Sequence, residues 1–406
     1  MFFFFFPILE RTRDWVYMSV ERYDRKSGDM LIDFLNPEEF DRFSIMGFPT
    51  VGPAGSNSAS MVVLRNCYQK RIYEGAVYII NKRTIDQWIE RDMIREVTDS
   101  LLIRFEVNMS EFDGELFDRD NPYAAWTKYV TLSTGEGGGD IGMIAVGGTA
   151  QFDLVVRNVG QGNWNELVDA NGTLLVYDAG THWNTPSATV SALAATRDTQ
   201  YQNDGPGVVI SHWDVDHYYV LLSMSDAALR AFRYFLCRRT TPNMTSTRLL
   251  NRMLALNPNV VITLDPEPRP GWYSPPPQLI HRHNGGYVQV FNAERHRDRN
   301  RSGIVISVQR PNSCAILSGD HHYYQIANAV LPMLNPTLPH HLVVPHHGGN
   351  AGTFTYHTHA PGQAVISVGT NSYGHPNGQN ITHLQGCGFA VTRTDVINAD
   401  IVIPLP

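Results

Sequence analysis

The segment Ser211-His212-Trp213-Asp214-Val215-Asp216-His217 sets two imidazoles and two carboxylates within six residues, in the pattern H-x-D-x-D-H. It follows the apolar run Val208-Val209-Ile210, which reads as a buried strand ending at a site. On a turning loop, alternate residues share a direction, while the adjacent pair Asp216-His217 splits toward different neighbours. Such a segment can feed two cations side by side. Mixed imidazole and carboxylate donors suit zinc, manganese or iron(II) better than calcium. The competing reading is an exposed polar loop whose histidines bond to backbone.

Four further loops each follow an apolar run. Asn158-Val159-Gly160-Gln161-Gly162-Asn163 has glycines that permit a tight turn and close backbone approach. Ser318-Gly319-Asp320 puts a carboxylate just past a strand, a position that also suits a helix N-cap. Val344-Pro345-His346-His347-Gly348 puts two imidazoles at a strand end, and Tyr373-Gly374-His375-Pro376 adds another histidine on a rigid turn. If the strands are neighbours, these residues converge at one sheet edge.

The elements that must position them are legible in outline. Residues 152–158, 173–177, 208–210, 304–308, 314–317, 342–344, 365–368 and 396–403 read as strands, and 186–196, 229–239, 246–256 and 323–334 as helices. Strands joined by both turns and helices predict a mixed α/β sheet architecture covered by helices. The first third differs: it is acidic and aromatic in places, and no histidine precedes His182. One amphipathic helix is predicted over 84–97, with Ile85, Trp88, Ile89, Met93 and Ile94 at helical spacing. The run Ser133-Thr134-Gly135-Glu136-Gly137-Gly138-Gly139 has linker composition. The expected organisation is an N-terminal accessory or interaction domain of α+β character over 1–133, a Gly-rich linker over 134–140, and a domain over 141–406 that carries the chemistry.

A chain of 406 residues, 43% apolar and 17% charged, is globular and long enough for a sizeable core. Its formal charge of −7 argues against a broad nucleic-acid-coating surface but permits a local basic patch. The four cysteines form no C-x-x-C pair, which fits a reducing cytoplasm rather than a disulfide framework or zinc ribbon. The opening run of five phenylalanines lacks the flanks of a signal peptide and is too short to span a bilayer. It reads either as an edge strand tucked into a core or as a plug for a protein partner. No transmembrane segment is expected.

The order of the motifs resembles the metallo-β-lactamase superfamily, and within it the ComEC-type hydrolase domain. The likeness runs from Val156-Arg157-Asn158-Val159-Gly160-Gln161-Gly162 through Tyr177-Asp178-Ala179-Gly180 and Ser211-His212 to His217. It continues through Asn300-Arg301-Ser302, Ser318-Gly319-Asp320, Val344-Pro345-His346-His347-Gly348 and Tyr373-Gly374-His375-Pro376 to Arg393-Thr394-Asp395. It covers about the last two-thirds of the chain. The resemblance implies an αββα sandwich with two divalent metal ions, zinc or manganese, at one edge. His212 and Asp214 would bind the first, Asp216 and His217 the second, with Asp320 bridging. His347, or else His346, would complete the second site, and the other of that pair would face the substrate phosphate. Asp216, His346 and His375 are the expected catalytic residues, His375 contacting a phosphate or protonating a leaving oxygen.

The chain departs from the family at Tyr218-Tyr219-Val220, where glycines are usual, and at Asn163, where aspartate is usual. A third imidazole for the first metal is also missing from the expected interval, with only His281, His283 and His296 as candidates by position.

Two cations about 3.5–4 Å apart stabilise both the attacking and the leaving oxygen of an in-line displacement, which suits a phosphodiester. Arg295, Arg297, Arg299 and Arg301 are candidate phosphate contacts, because the guanidinium fork bonds two oxygens at once. Trp164, Trp183, Trp213 and Tyr218 are candidates for stacking on bases. The expected activity is that of a cytoplasmic DNA nuclease, an effector of a defence or DNA-processing assembly. The alternatives are a hydrolase of small phosphodiesters, its entrance narrowed by Tyr218-Tyr219, and a metal-stabilised binding module without catalysis.

Overall fold

The computed structural model describes residues 15–34, 59–67, 72–81, 83, 84, 87, 94–99, 102–108, 115–118, 137–148, 151–269, 276–296 and 298–406. The phenylalanine run lies outside the described residues. The chain divides into two compact units, residues 1–134 with 241–252, and residues 135–240 with 253–406. It is a mixed α/β protein.

The first unit holds one seven-stranded sheet: β1 (Trp15–Asp24), β2 (Asp29–Phe34), β3 (Ala59–Arg65), β4 (Val77–Asn81), β5 (Ile94–Asp99), β6 (Leu102–Asn108) and β7 (Glu115–Asp118), in the order β5-β6-β3-β2-β1-β4-β7. Val16, Met18 and Val20 alternate along β1 and meet Met30, Ile32 and Phe34 of β2 in one core cluster. Residues 94–97 of the helix predicted over 84–97 belong to β5 instead, and residues 85, 86 and 88–93 of that prediction lie outside the described residues. Asp33, fully buried, accepts the backbone N–H of Thr245 at 3.0 Å in the first turn of the helix Met244–Leu256. That carboxylate satisfies a donor that a helix start otherwise leaves open.

The second unit holds two seven-stranded sheets. Its strands are β8 (Phe152–Val156), β9 (Trp164–Asp169), β10 (Gly172–Ala179), β11 (Gly207–Val209), β12 (Tyr234–Arg238), β13 (Val261–Leu264), β14 (Leu279–Gly285), β15 (Val288–Ala293), β16 (Ile304–Gln309), β17 (Cys314–Leu317), β18 (His340–Val343), β19 (Pro361–Ile366), β20 (Ala390–Arg393) and β21 (Ile401–Leu405). One sheet runs β13-β12-β11-β10-β9-β8-β21, the other β14-β15-β16-β17-β18-β19-β20. Strands β10 to β13 are mutually parallel, as are β17 to β20. Leu154, Tyr177, Val209 and Leu236 of the first sheet share a hydrophobic cluster with Val290, Ile306, Leu317 and Val343 of the second. Each such burial contributes about 1.5–3 kcal/mol. The strand ends are therefore fixed by core packing, and the loops beyond them can carry polar side chains.

Several predicted elements change type. The segment 229–239 splits into the helix Asp226–Ala231 and the fully buried strand β12. A short apolar run of this kind fits strand and helix equally by pattern alone. The end of the chain is not one strand: a turn of helix, Thr394–Ile397, ends at Asn398 in the left-handed region, and only then does β21 begin. β21 is an edge strand, which accommodates Pro404. Residues 323–333 form a turn of α-helix, a π segment and a 3-10 turn rather than one α-helix. The helix Ser187–Asp204 runs beyond the predicted 196 to Gly205, a left-handed C-cap whose N–H donates to the Tyr201 carbonyl. None of the strands predicted from the sequence covers β1 to β7, β9, β13, β14, β15 or β20. The described part of the glycine run is no free linker either. Gly138 and Gly139 donate N–H bonds to Pro258 and Val261 at 2.8 and 3.1 Å, and a Cβ at Gly137 would strike the Val261 carbonyl.

Candidate metal centre

The loops that follow β10, β11, β17, β18 and β19 meet at one edge of the second unit, at the C-terminal ends of parallel strands, the usual place for a site in such sheets. The loop after β11 is pinned first. Ser211 donates through its backbone N–H to Asp178 Oδ1 at 2.7 Å and through its hydroxyl to Oδ2 at 2.8 Å, and its carbonyl accepts from Ile304. The Asp216 carbonyl accepts the Asn163 N–H at 3.0 Å. Gly180 is required there, because a Cβ would lie 1.9 Å from that carbonyl oxygen.

These constraints bring the expected ligands together. Two groups could each hold an ion: His212, His217 and Asp320, and Asp216, His217 and His347, all buried. His217 Nε2 stands 3.3 Å from Asp320 Oδ1, His212 Nε2 3.9 Å from Asp320 Oδ2, and His347 Nε2 3.3 Å from Asp216 Oδ2. Two ligand atoms on one tetrahedral zinc, each about 2.0–2.2 Å from it, lie roughly 3.4 Å apart. The observed spacings are of that size. Asp320 thus turns one oxygen to His217 and the other to His212, both within the first group. His212 Nε2 is also 3.4 Å from Asp214 Oδ2, and His346 Nε2, on a half-buried ring, is 3.9 Å from Asp320 Oδ2.

The inner atoms are what make the cluster fit a cation. His212 Nε2, His217 Nε2, His347 Nε2 and both Asp320 oxygens are buried and make no hydrogen bond. Leaving such groups unsatisfied costs about 1–3 kcal/mol each, more when charged. The outer nitrogens are all spoken for. Nδ1 of His217 meets Asp178 Oδ2 at 2.8 Å, Nδ1 of His347 the Ser367 carbonyl at 2.8 Å, and Nδ1 of His212 the Ser211 hydroxyl at 3.0 Å. A histidine held this way presents Nε2 in a fixed direction. Electrostatics agree. Burial pushes the His217 imidazole down, but Asp320 and Asp178 outweigh it and hold its pKa well above the ordinary value. Burial pushes Asp320 up, but His217, His346 and His212 hold it well below the carboxylate range. The pocket draws in positive charge.

Backbone geometry is unusual at the same places. Asp178, His346 and His347 have φ of 58°, 53° and 52°. Non-glycine residues in this region cost about 1–2 kcal/mol each, a strain that clusters at functional sites. His375 lies edge-on to His346, with ring centroids 5.1 Å apart, and its Nδ1 is 3.3 Å from Gln161 Nε2. Burial, with His346 and His347 nearby, takes its pKa down to about 3. At neutral pH it is an uncharged hydrogen-bonding group rather than a proton donor to a leaving oxygen. A side chain at Gly349 would overlap its ring.

Other expectations are corrected. Trp164, Trp183, Trp213 and Tyr218 are all buried and cannot stack on bases. Trp213 Nε1 donates to the Arg238 carbonyl, and Trp164 Nε1 to the Tyr201 hydroxyl. Tyr219 is fully buried as well, so the Tyr218-Tyr219 pair does not narrow an entrance. The partly exposed rings are instead His375, Tyr373 and His182, at successive centroid separations of 5.7 and 6.4 Å. Arg295 is exposed. Arg297 lies outside the described residues. Arg301 Nε donates to His322 Nε2 at 3.0 Å and faces Asp298 at 3.1 Å. Arg299 faces Asp214 at 3.3 Å. His281 and His283 bond within or beside their hairpin, and His296 Nδ1 accepts the Asp298 N–H. None of the three belongs to either group of ligands. The sequence assigned no role to Asp178 or Ser367, although Tyr177-Asp178 carries the same signal as Leu317-Ser318-Gly319-Asp320: an apolar strand running into a carboxylate.

No family model matches the chain, and no curated protein matches it. Six solved chains do. Among them is CmlA beta-hydroxylase, solved as a point mutant, at 12% identity and a TM-score of 0.34, covering 64% of this chain and 55% of that one. The chain therefore spans about half the length of that protein.

Proposed function

We propose that the second unit is a metallo-β-lactamase αββα sandwich of ComEC type and that the chain is a two-metal phosphodiesterase acting on DNA. The observation that carries the reading is the cluster of His212, His217, Asp320, Asp216 and His347 at one loop edge, in which the inner nitrogens of the three histidines and both Asp320 oxygens are buried, close and without hydrogen bonds. Divalent cations held there would supply Lewis acidity toward a phosphoryl oxygen. Zinc and manganese both suit the donor set.

The chain's own residues do the rest. Asp178 and the Ser367 carbonyl hold His217 and His347 with Nε2 inward. His346, with Nδ1 3.2 Å from the Asn350 carbonyl, turns Nε2 toward Asp320 on the open side, where it can exchange a proton with a substrate oxygen. His375, neutral and set against Gln161, orients a phosphate by hydrogen bonding. Tyr373 and His182 extend the site with partly exposed rings on which a base can stack. Buried Tyr218 and Tyr219 remove the feature that favoured a closed pocket for small phosphodiesters.

The test is elemental analysis of the purified protein, followed by manganese-dependent cleavage of labelled single- and double-stranded DNA. Asp216→Ala and Asp320→Ala are expected to abolish cleavage. If both variants cut as well as the parent, the two-metal mechanism is wrong. Turnover of bis-p-nitrophenyl phosphate without cleavage of DNA would transfer the reading to small phosphodiesters. Bound metal with neither activity would leave a binding module.

A further inference from the structure

The two ligand groups differ in what stands behind them. Asp214, at the first position, is buried, and its two oxygens have different neighbours. Oδ2 lies 3.4 Å from His212 Nε2, on the side where a cation would sit. Oδ1 lies 3.3 Å from Arg299 Nε, and Arg299 Nη1 donates to the neighbouring Trp213 carbonyl at 3.3 Å. The guanidinium side chain is only 11% exposed. It is held by the turn Arg299–Arg301, whose N-cap Asp298 accepts the Asn300 N–H at 3.1 Å. The fork is thus clamped on residues 213 and 214, inside the loop that supplies the ligands, and does not extend toward a substrate.

Resting on the metal reading above, we infer that Arg299 sets the affinity of the first metal position, holding it weaker than the second so that the two positions fill in order. The argument is electrostatic. A guanidinium keeps its charge at any accessible pH. Toward a divalent cation held by Asp214 it would be repulsive, and in a buried setting that repulsion is screened less than at the surface. It also draws electron density from Oδ1 and so weakens Oδ2 as a donor. At the second position, the outer partner of His347 is a carbonyl oxygen, which strengthens the imidazole as a ligand, and no guanidinium faces that nitrogen. Asp214 with Arg299 behind it therefore acts as a nearly neutral donor unit, comparable in charge to an imidazole.

The experiment is manganese titration of the full chain by calorimetry, which reads affinity without activity. Wild type is expected to bind in two events separated by at least about tenfold, the scale on which outer partners tune metal affinity. Arg299→Gln, which keeps a polar side chain but carries no charge, is expected to tighten the weaker event about tenfold and narrow the gap. Arg299→Lys, which keeps the charge, should preserve the gap. Two equal events in wild type, or a weaker event that stays put or loosens further in Arg299→Gln, would overturn the inference, because the arginine would then be orienting Asp214 and nothing more. Wild type that binds no manganese or zinc would overturn the metal reading itself. Binding in wild type with unequal events that do not respond to Arg299→Gln sinks only the inference.

Discussion

The strand β18 has a histidine at each end, and the two ends behave differently. His340 opens the strand. It is buried, its Nε2 donates to the Asn335 carbonyl at 2.9 Å, and its Nδ1 is 2.9 Å from the Thr358 hydroxyl. His347, just past the other end, is equally buried, yet only its Nδ1 is engaged. One end is a finished hydrogen-bond network, and the other is short of a partner. The same contrast separates neighbours in sequence. His321, beside Asp320, uses Nδ1 on the Ser318 carbonyl and accepts the Gly303 N–H at Nε2. Residue type and burial do not distinguish a ligand from a core histidine. An unsatisfied inner nitrogen does.

The largest effect should come from removing the carboxylate of the first group, which faces both of its histidines. Asp320→Asn keeps the shape of the carboxylate but not its charge, and it leaves His217 and His212 facing a neutral amide. Losing several kcal/mol of charge stabilisation corresponds to a fall of about a thousandfold or more in kcat/KM. Bound metal, measured by mass spectrometry after dialysis, should drop in parallel. An Asp320→Asn protein that retains two metals would break the contrast between the two ends, since its inner atoms would then have had another purpose.

Asp178 should give an intermediate effect. It touches no inner atom but holds His217 and Ser211 together. Asp178→Asn is expected to lower metal affinity about 10–100-fold, read by competition with a chelator, while the fold persists. Loss of folding without any change in the metal affinity of the surviving protein would mean that Asp178 serves the core alone.

Much of this site was legible in the sequence because its parts follow apolar runs whose burial fixes where they end. Val208-Val209-Ile210 and Cys314 to Leu317 could hardly be anything but strands, and His212, His217 and Asp320 stand where those strands stop. What the pattern could not carry was direction. Arg299 resembled its basic neighbours in composition, but a fold-dependent turn clamps it on Asp214. Trp213 resembled a stacking platform until its indole N–H was seen to be committed to Arg238. Tyr234 to Arg238 reads as helix from its sequence, because five consecutive buried residues have no period to separate helix from strand. The Arg299 and Trp213 differences each concern a side chain whose partner lies tens of residues away, which no local spacing encodes.

A smaller effect tests the finished end of β18. His340→Gln can replace one hydrogen bond but not both, so it should cost about 1–3 kcal/mol in a denaturant titration. Metal stoichiometry and affinity should match wild type, because the change lies at the far end of the strand from His347. A change in metal binding would show that strand position, rather than local bonding, sets the ligand geometry.

The smallest effect is in the pH dependence. Burial lowers the pKa of His340, and burial with His340 nearby lowers that of His341. Burial, above all, also lowers His296. In the unfolded chain such groups titrate near about 6.5. The unfolded state therefore binds more protons than the folded one once the pH drops below that value. Stability should be fully present above about 6.5 and should decline as pH falls toward the folded pKa values, by at most about 1.4 kcal/mol per pH unit for each extra proton taken up. Urea midpoints at pH 7.5, 6.5 and 5.5 would show this slope, and His340→Gln should flatten it by no more than one proton's share. The variant loses stability at every pH but less steeply in acid, so the two curves should converge as pH falls. Parallel curves would mean that His340 takes up its proton at the same pH in both states, so that its hydrogen bond to the Asn335 carbonyl offsets the burial that lowers its pKa.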